Sequence, residues 1–166
     1  MSPSPRLSLR AASLDVTHSI AAALAGLSRS GDVILLAGEM GAGKTAFAQG
    51  FGRALGVTEP ITSPTFTLVH SYDTGGPTLH HADLYRLDQL AEVADLALGE
   101  LAEFDGIVLV EWGDVVEFTF GDHLVVRLDA VEEDEDARVI VLTAVGPTWA
   151  TRWESLRRAA AGLAPT

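Results

Sequence analysis

The residues best placed to do chemistry stand in one run, Gly38-Glu39-Met40-Gly41-Ala42-Gly43-Lys44-Thr45. It fits G-x-x-x-x-G-K-[ST] in full, after a short apolar segment and before a helical pattern. Glycines admit the positive φ angles that turn consecutive N–H groups toward one point. Those groups and the N-terminus of the following helix make an anion cradle. In such a loop the lysine meets the terminal phosphates as a point charge and the threonine hydroxyl ligates Mg²⁺. The expected cofactor contacts therefore run from Gly38 through Thr45 and on to Ala46, with Lys44 also catalytic and Thr45 a metal ligand. Residue usage supports this. Lys44 is the only lysine, against ten arginines, and it stands at the one place where the loop demands lysine.

A loop of this kind needs an acid at the end of a neighbouring strand to hold Mg²⁺ or its water shell. Two acids qualify. Glu111 closes the apolar run Ile107-Val108-Leu109-Val110, and Asp83 closes the run Leu79-His80-His81-Ala82. Both are expected to be catalytic. Glu111 is expected at the metal, and Asp83 at the metal shell or the attacking water. His80 and His81 are adjacent, so on a strand they face opposite ways and do not form a metal pair. Ser63-Pro64-Thr65-Phe66 is a candidate phosphate-sensing loop in which Pro64 keeps Ser63 out of helix and Thr65 is a further candidate contact.

The elements that must hold these residues follow from periodicity. Helical spacing between Ser13 and Ser28 predicts a helix from about Thr17, broken by Gly31-Asp32. Val33 to Ala37 is wholly apolar and short, as a buried parallel strand should be. A helix is expected from Lys44 to Leu55 with Gly56 as its stop. Residues 65–72 and 78–84 read as strands joined by the turn at 73–77, residues 88–104 as an acidic helix, and 107–110 as a second buried strand. His123 to Leu128 and Arg138 to Ala144 alternate as an antiparallel pair, joined by a solvated loop containing Glu132 to Asp136. The tail from Thr148 to Leu163 is expected to be one amphipathic helix, with Trp149, Trp153 and Leu156 inward and Arg152, Arg157 and Arg158 outward. This order predicts an α/β, P-loop NTPase-like three-layer domain, its parallel sheet core extended by antiparallel strands. A single domain is expected over 1–166, with 148–166 as the C-terminal helix.

Composition narrows the field. At 166 residues, 48% hydrophobic and 20% charged, the chain is long enough to bury a sizeable core and is not of disordered composition. Without cysteine it has no disulfide framework, thiolate metal site or cysteine nucleophile. No apolar run reaches membrane-spanning length, and the N-terminus lacks a signal-peptide core. A cytoplasmic protein without membrane attachment is expected. The net charge of −12 disfavours direct DNA or RNA binding. It is concentrated: residues 87–136 carry 16 acids and one base, Arg127, which is a surface suited to a basic protein partner.

Taken together these segments resemble the TsaE (YjeE) family, bacterial P-loop ATPases of tRNA threonylcarbamoyladenosine biosynthesis. The likeness runs through Gly38 to Thr45, Ser63-Pro64-Thr65-Phe66-Thr67-Leu68-Val69, His81-Ala82-Asp83-Leu84-Tyr85-Arg86 and Val110-Glu111-Trp112, in order and at fitting spacing. It covers about residues 13–145. The resemblance implies ATP and Mg²⁺ as cofactors, and TsaD- and TsaB-like proteins as partners, with tRNA engaged only indirectly. It places the family's metal residues on Thr45 and Glu111, its functional aspartate on Asp83 and a γ-phosphate switch on the Ser63–Thr65 loop. Around Ser13 and Thr17 it implies the adenine side. Ala46 departs from the many members that carry a second hydroxyl there.

Three alternatives have sequence-level tests. A small-molecule kinase closes an arginine-bearing lid over the phosphoryl group, yet no base lies between Arg86 and Arg127. A GTP-driven switch needs an Asn/Thr-Lys-x-Asp signature, and the single lysine is already in the loop. An interaction module with a degenerate loop is disfavoured because every required loop residue is present. Near the loop the sequence offers few bases: Lys44, Arg53 toward the far end of its helix, and Arg86.

Overall fold

The segment Val33-Ile34-Leu35-Leu36 is apolar on both faces of its pleat, so it is stable only where both faces are covered. It lies at the centre of the sheet. The structure is a computed structural model and describes residues 5–39, 41–62, 69–83, 106–111 and 122–163. Its elements in chain order are β1 (Arg6–Ala11), α1 (Leu14–Leu27), β2 (Val33–Ala37), α2 (Lys44–Leu55), β3 (Val69–Tyr72), β4 (Thr78–Asp83), β5 (Gly106–Glu111), β6 (His123–Val131) and β7 (Asp134–Val145), then a 3₁₀ turn at Pro147–Trp149 and α3 (Trp153–Leu163).

The seven strands form one sheet, ordered β1-β7-β6-β2-β5-β4-β3. The inner four, β6, β2, β5 and β4, run parallel to one another. Antiparallel strands extend this core on both sides, β3 at one edge and β7 with β1 at the other. Helices α1 and α2 pack on each other, and α1 also touches α3. Their apolar faces meet the sheet in one core that includes Ile20, Leu24, Phe47, Phe51, Leu36 and Leu109. The expected architecture, a parallel core with antiparallel extensions, is the one found. The helix expected over 88–104 lies outside the described residues, as do 65–68 of the first hairpin strand.

Several expectations need correction. Helix α1 starts at Leu14, not Thr17, because Ser13 caps it: its Oγ accepts the Val16 N–H at 3.3 Å. Strand β1 was not anticipated, although Arg6 to Ala11 alternates with the arginines outward and Leu9 and Ala11 buried. The β6–β7 connection is shorter than expected. Asp134, Glu135 and Asp136 belong to β7, exposed at its start, and only Glu132 and Glu133 form the turn.

The tail is corrected most. Its helix begins at Trp153, and Trp149 lies buried in the preceding 3₁₀ turn. Arg152 points inward, not outward. It forms a bidentate pair with Asp32 (2.7 and 3.0 Å), donates to the Leu27 and Thr148 carbonyls, and stacks over the Trp149 ring at 3.8 Å. Arginine brings enough donors and a planar face to satisfy all of these at once. Arg157 and Arg158 face outward and pair with Glu154.

Candidate functional site

The glycine-rich loop leaves the end of β2 and enters α2 at the C-terminal edge of the parallel strands, where α/β folds place their ligands. Gly38, Gly41 and Gly43 have φ of 143°, 84° and 102°, the region that glycine occupies at little cost. Gly38 has a second reason to be glycine. A Cβ there would lie 2.4 Å from the Leu128 carbonyl oxygen, so the loop sits directly on the backbone of β6. Within the loop the Ala42 N–H donates to the Glu39 carbonyl at 3.0 Å. Gly43 is the N-cap of α2 and brings no side chain to its first turn, where a helix leaves N–H groups without intrahelical acceptors. The first turn also carries no acid. Such an end favours an anion.

Lys44 and Thr45 are the first two residues of α2. The Lys44 ammonium donates to the Gly38 carbonyl at 2.8 Å, so it spans the mouth of the loop. The Thr45 hydroxyl donates to Glu111 Oε1 at 2.9 Å. Glu111 ends β5, which runs parallel beside β2, with Leu36 opposite it in register. It is 5% exposed, and a buried carboxylate needs partners to offset its lost hydration. Thr45 supplies one. His81 supplies the other, its Nε2 lying 2.5 Å from Glu111 Oε2. Where Glu111 is ionised it can only accept, and His81 then donates to it from Nε2. His81 Nδ1, also buried, has no partner among the described residues.

Asp83 is the last residue of β4 and is paired in register with Glu111, so the two expected acids end neighbouring strands. His80 faces the other side of the sheet from His81, with Nδ1 2.7 Å from the Ser71 hydroxyl. Burial holds its pKa below the usual histidine value. Ser13 caps α1. Thr17 is buried, and its hydroxyl has no partner among the described residues. Ala46 follows Thr45 in the first turn of α2. Met40, Thr65 with the rest of the Ser63–Phe66 loop, Arg86 and Trp112 lie outside the described residues.

Two contacts escaped the sequence. The sequence sets His80 and His81 on opposite faces but does not show which partner either meets; His81 holds the strand-end carboxylate, and only the β4–β5 register brings them together. Arg138 is a base at the loop that the strand alternation of 138–144 does not signal. From β7 its Nε donates to the Ala42 carbonyl at 2.8 Å.

Thr45 and Glu111 give two hard oxygen donors at one point, and an ammonium stands beside an N–H-lined loop. That donor set fits Mg²⁺ with a polyphosphate. A parallel sheet carrying this loop defines the P-loop α/β fold. The comparisons are specific within that class. The family described as threonylcarbamoyl adenosine biosynthesis protein TsaE matches residues 11–140. The chain is 37% identical over 155 residues to the tRNA threonylcarbamoyladenosine biosynthesis protein TsaE of Bacillus subtilis, covering 92% of this chain and 95% of that one. It is 42% identical over 134 residues to the protein of the same name from Streptomyces coelicolor, covering 77% and 90%. The crystal structure of Bacillus subtilis YdiB superposes with a TM-score of 0.76 at 30% identity, over 95% of this chain and 98% of that one. The chain belongs to the TsaE family.

Proposed function

We propose that this protein is the Mg²⁺-dependent, ATP-binding and ATP-hydrolysing component of the tRNA threonylcarbamoyladenosine modification machinery, working with TsaD- and TsaB-like partners. The observation that carries the chemistry is the Thr45–Glu111 contact, which brings the loop hydroxyl and a strand-end carboxylate to one point. The relatives' names supply the pathway. Mg²⁺ supplies charge neutralisation across the phosphate oxygens. Thr45 and Glu111 would hold it, and His81 keeps the Glu111 carboxylate aimed. Lys44 neutralises phosphate charge, while Asp83, ending the adjacent strand, orients water or the metal's water shell. Among the described residues no helix is long and apolar enough to cross a membrane.

Fast phosphoryl transfer usually needs a further cation over the γ-phosphate, in cis or from a partner. Arg138 is engaged on the loop backbone, and the segment 87–136 is strongly acidic. The isolated protein should therefore bind ATP and hydrolyse it slowly, with partners completing the site. Steady-state ATPase, alone and then with TsaD- and TsaB-like proteins, tests this. A rise on adding partners that weakens with salt supports it, because exposed charges are screened within about 8–10 Å at ordinary ionic strength. A fast rate alone, unchanged by the partners, would show a site already complete in this chain.

A further inference from the structure

The phosphate loop is braced from outside by a strand far away in sequence. Arg138 lies near the start of β7, between Ala11 of β1 and Ala130 of β6 in register. Its Nε donates to the Ala42 carbonyl at 2.8 Å, and Nη2 lies 3.5 Å from the Gly41 carbonyl. Nη1 donates to the carbonyls of Glu135 and Ala137 at 2.6 and 2.7 Å. Among the described residues no carboxylate lies within ion-pair distance of it. The guanidinium thus joins the backbone of the β6–β7 hairpin to that of the loop. The same hairpin meets the loop again at Leu128, whose carbonyl crowds Gly38.

We propose that Arg138 is a positioning residue for the phosphate loop: by holding the Ala42 carbonyl outward it fixes the Ala42–Gly43 peptide with the Gly43 N–H facing the bound polyphosphate. This rests on the nucleotide-binding assignment above. In a trans peptide the C=O and N–H point opposite ways, so anchoring one sets the other. Gly43 has φ of 102° and glycine is the most mobile backbone, so an external brace is needed there. A charged donor on the carbonyl also polarises the peptide and strengthens its N–H as a donor. A guanidinium can hold loop and hairpin together because its donors lie in a rigid fork, which an ammonium lacks.

The test measures ADP affinity without metal, by calorimetry, and amide hydrogen exchange of the nucleotide-free protein. For Arg138→Ala, ADP affinity should fall about tenfold, the scale of one charge-assisted hydrogen bond. Exchange should quicken at Ala42, whose N–H donates to the Glu39 carbonyl, and at Phe47, whose N–H donates to the Gly43 carbonyl, while β6 and β7 stay protected. Arg138→Lys should restore little of either, and it carries the same test should the alanine variant fail to fold. Unchanged ADP affinity in both variants overturns the proposal. So does loss of protection across β6 and β7, which would make Arg138 a residue of the hairpin's own stability. Wild-type protein that binds neither ADP nor ATP would instead remove the nucleotide assignment on which the proposal stands.

Discussion

Thr45 and Glu111, 66 residues apart in the chain, meet at 2.9 Å where β5 ends beside the first turn of α2. Lys44, one residue earlier, serves a different end of the same site, with its ammonium on the Gly38 carbonyl. The two side chains should therefore fail differently. Lys44→Ala should weaken ATP binding roughly 10- to 100-fold with or without Mg²⁺, because a charged hydrogen bond to phosphate is worth about 1.5–3 kcal/mol. Thr45→Ala should weaken it mainly when Mg²⁺ is present. Titration of labelled ATP under both conditions separates them, and equal losses for Thr45→Ala would remove it as a metal ligand.

Glu111→Gln and Asp83→Asn end adjacent strands in register and should leave the fold and ATP binding largely intact. Hydrolysis should drop by about 10²–10⁴, the usual weight of acid–base or water-positioning assistance. Single-turnover rates measure the chemical step directly. A variant with a wild-type rate would take its acid out of the mechanism.

The Arg152–Asp32 pair is almost fully buried, its side chains 4% and 2% exposed, at the end of β2 away from the phosphate loop. Arg152→Ala would strand Asp32 without its charge partner and should cost about 3–5 kcal/mol of stability. Chemical denaturation measures that loss, and ATP affinity in native buffer should be nearly unchanged. Removing both charges with apolar replacements should cost much less. Some loss should remain, because Asp32 also accepts the Arg29 N–H at 2.7 Å.

His80 gives an acid-side prediction. Its pKa is lowered by burial, so the folded state favours neutral imidazole. When the folded pKa lies below the unfolded one, the contribution to stability is present above the unfolded value, near 6.5. It is lost as pH falls through the folded value. The wild-type denaturation midpoint should fall more steeply below pH 6.5 than that of His80→Gln. Parallel curves for the two proteins would show that His80 does not titrate between the two states.

Where a residue's role depends on its near neighbours, the amino-acid sequence already contained it. The glycines, Lys44 and Thr45 form one contiguous loop, and the apolar runs ending at Ala37 and Val110 can only be buried strands. Glu111, which ends the second of these runs, and Asp83, which ends the neighbouring one, had to fall at one edge of a parallel sheet. Even β1 was legible in the alternation of Arg6 to Ala11, an overlooked signal rather than a missing one. Other roles depend on register and packing, which no local pattern encodes. His81 faces Glu111 because β4 lies beside β5 with Leu109 opposite it. Arg138 reaches Ala42 because β7 folds back on β6, whose backbone seats the loop. Arg152 turns inward because it lies just before α3 rather than within it, where burial beside Asp32 and Trp149 outweighs the exposure its charge would otherwise demand. In each case the deciding energy is that of a buried polar group finding a distant partner, and the chain must be folded before that partner exists.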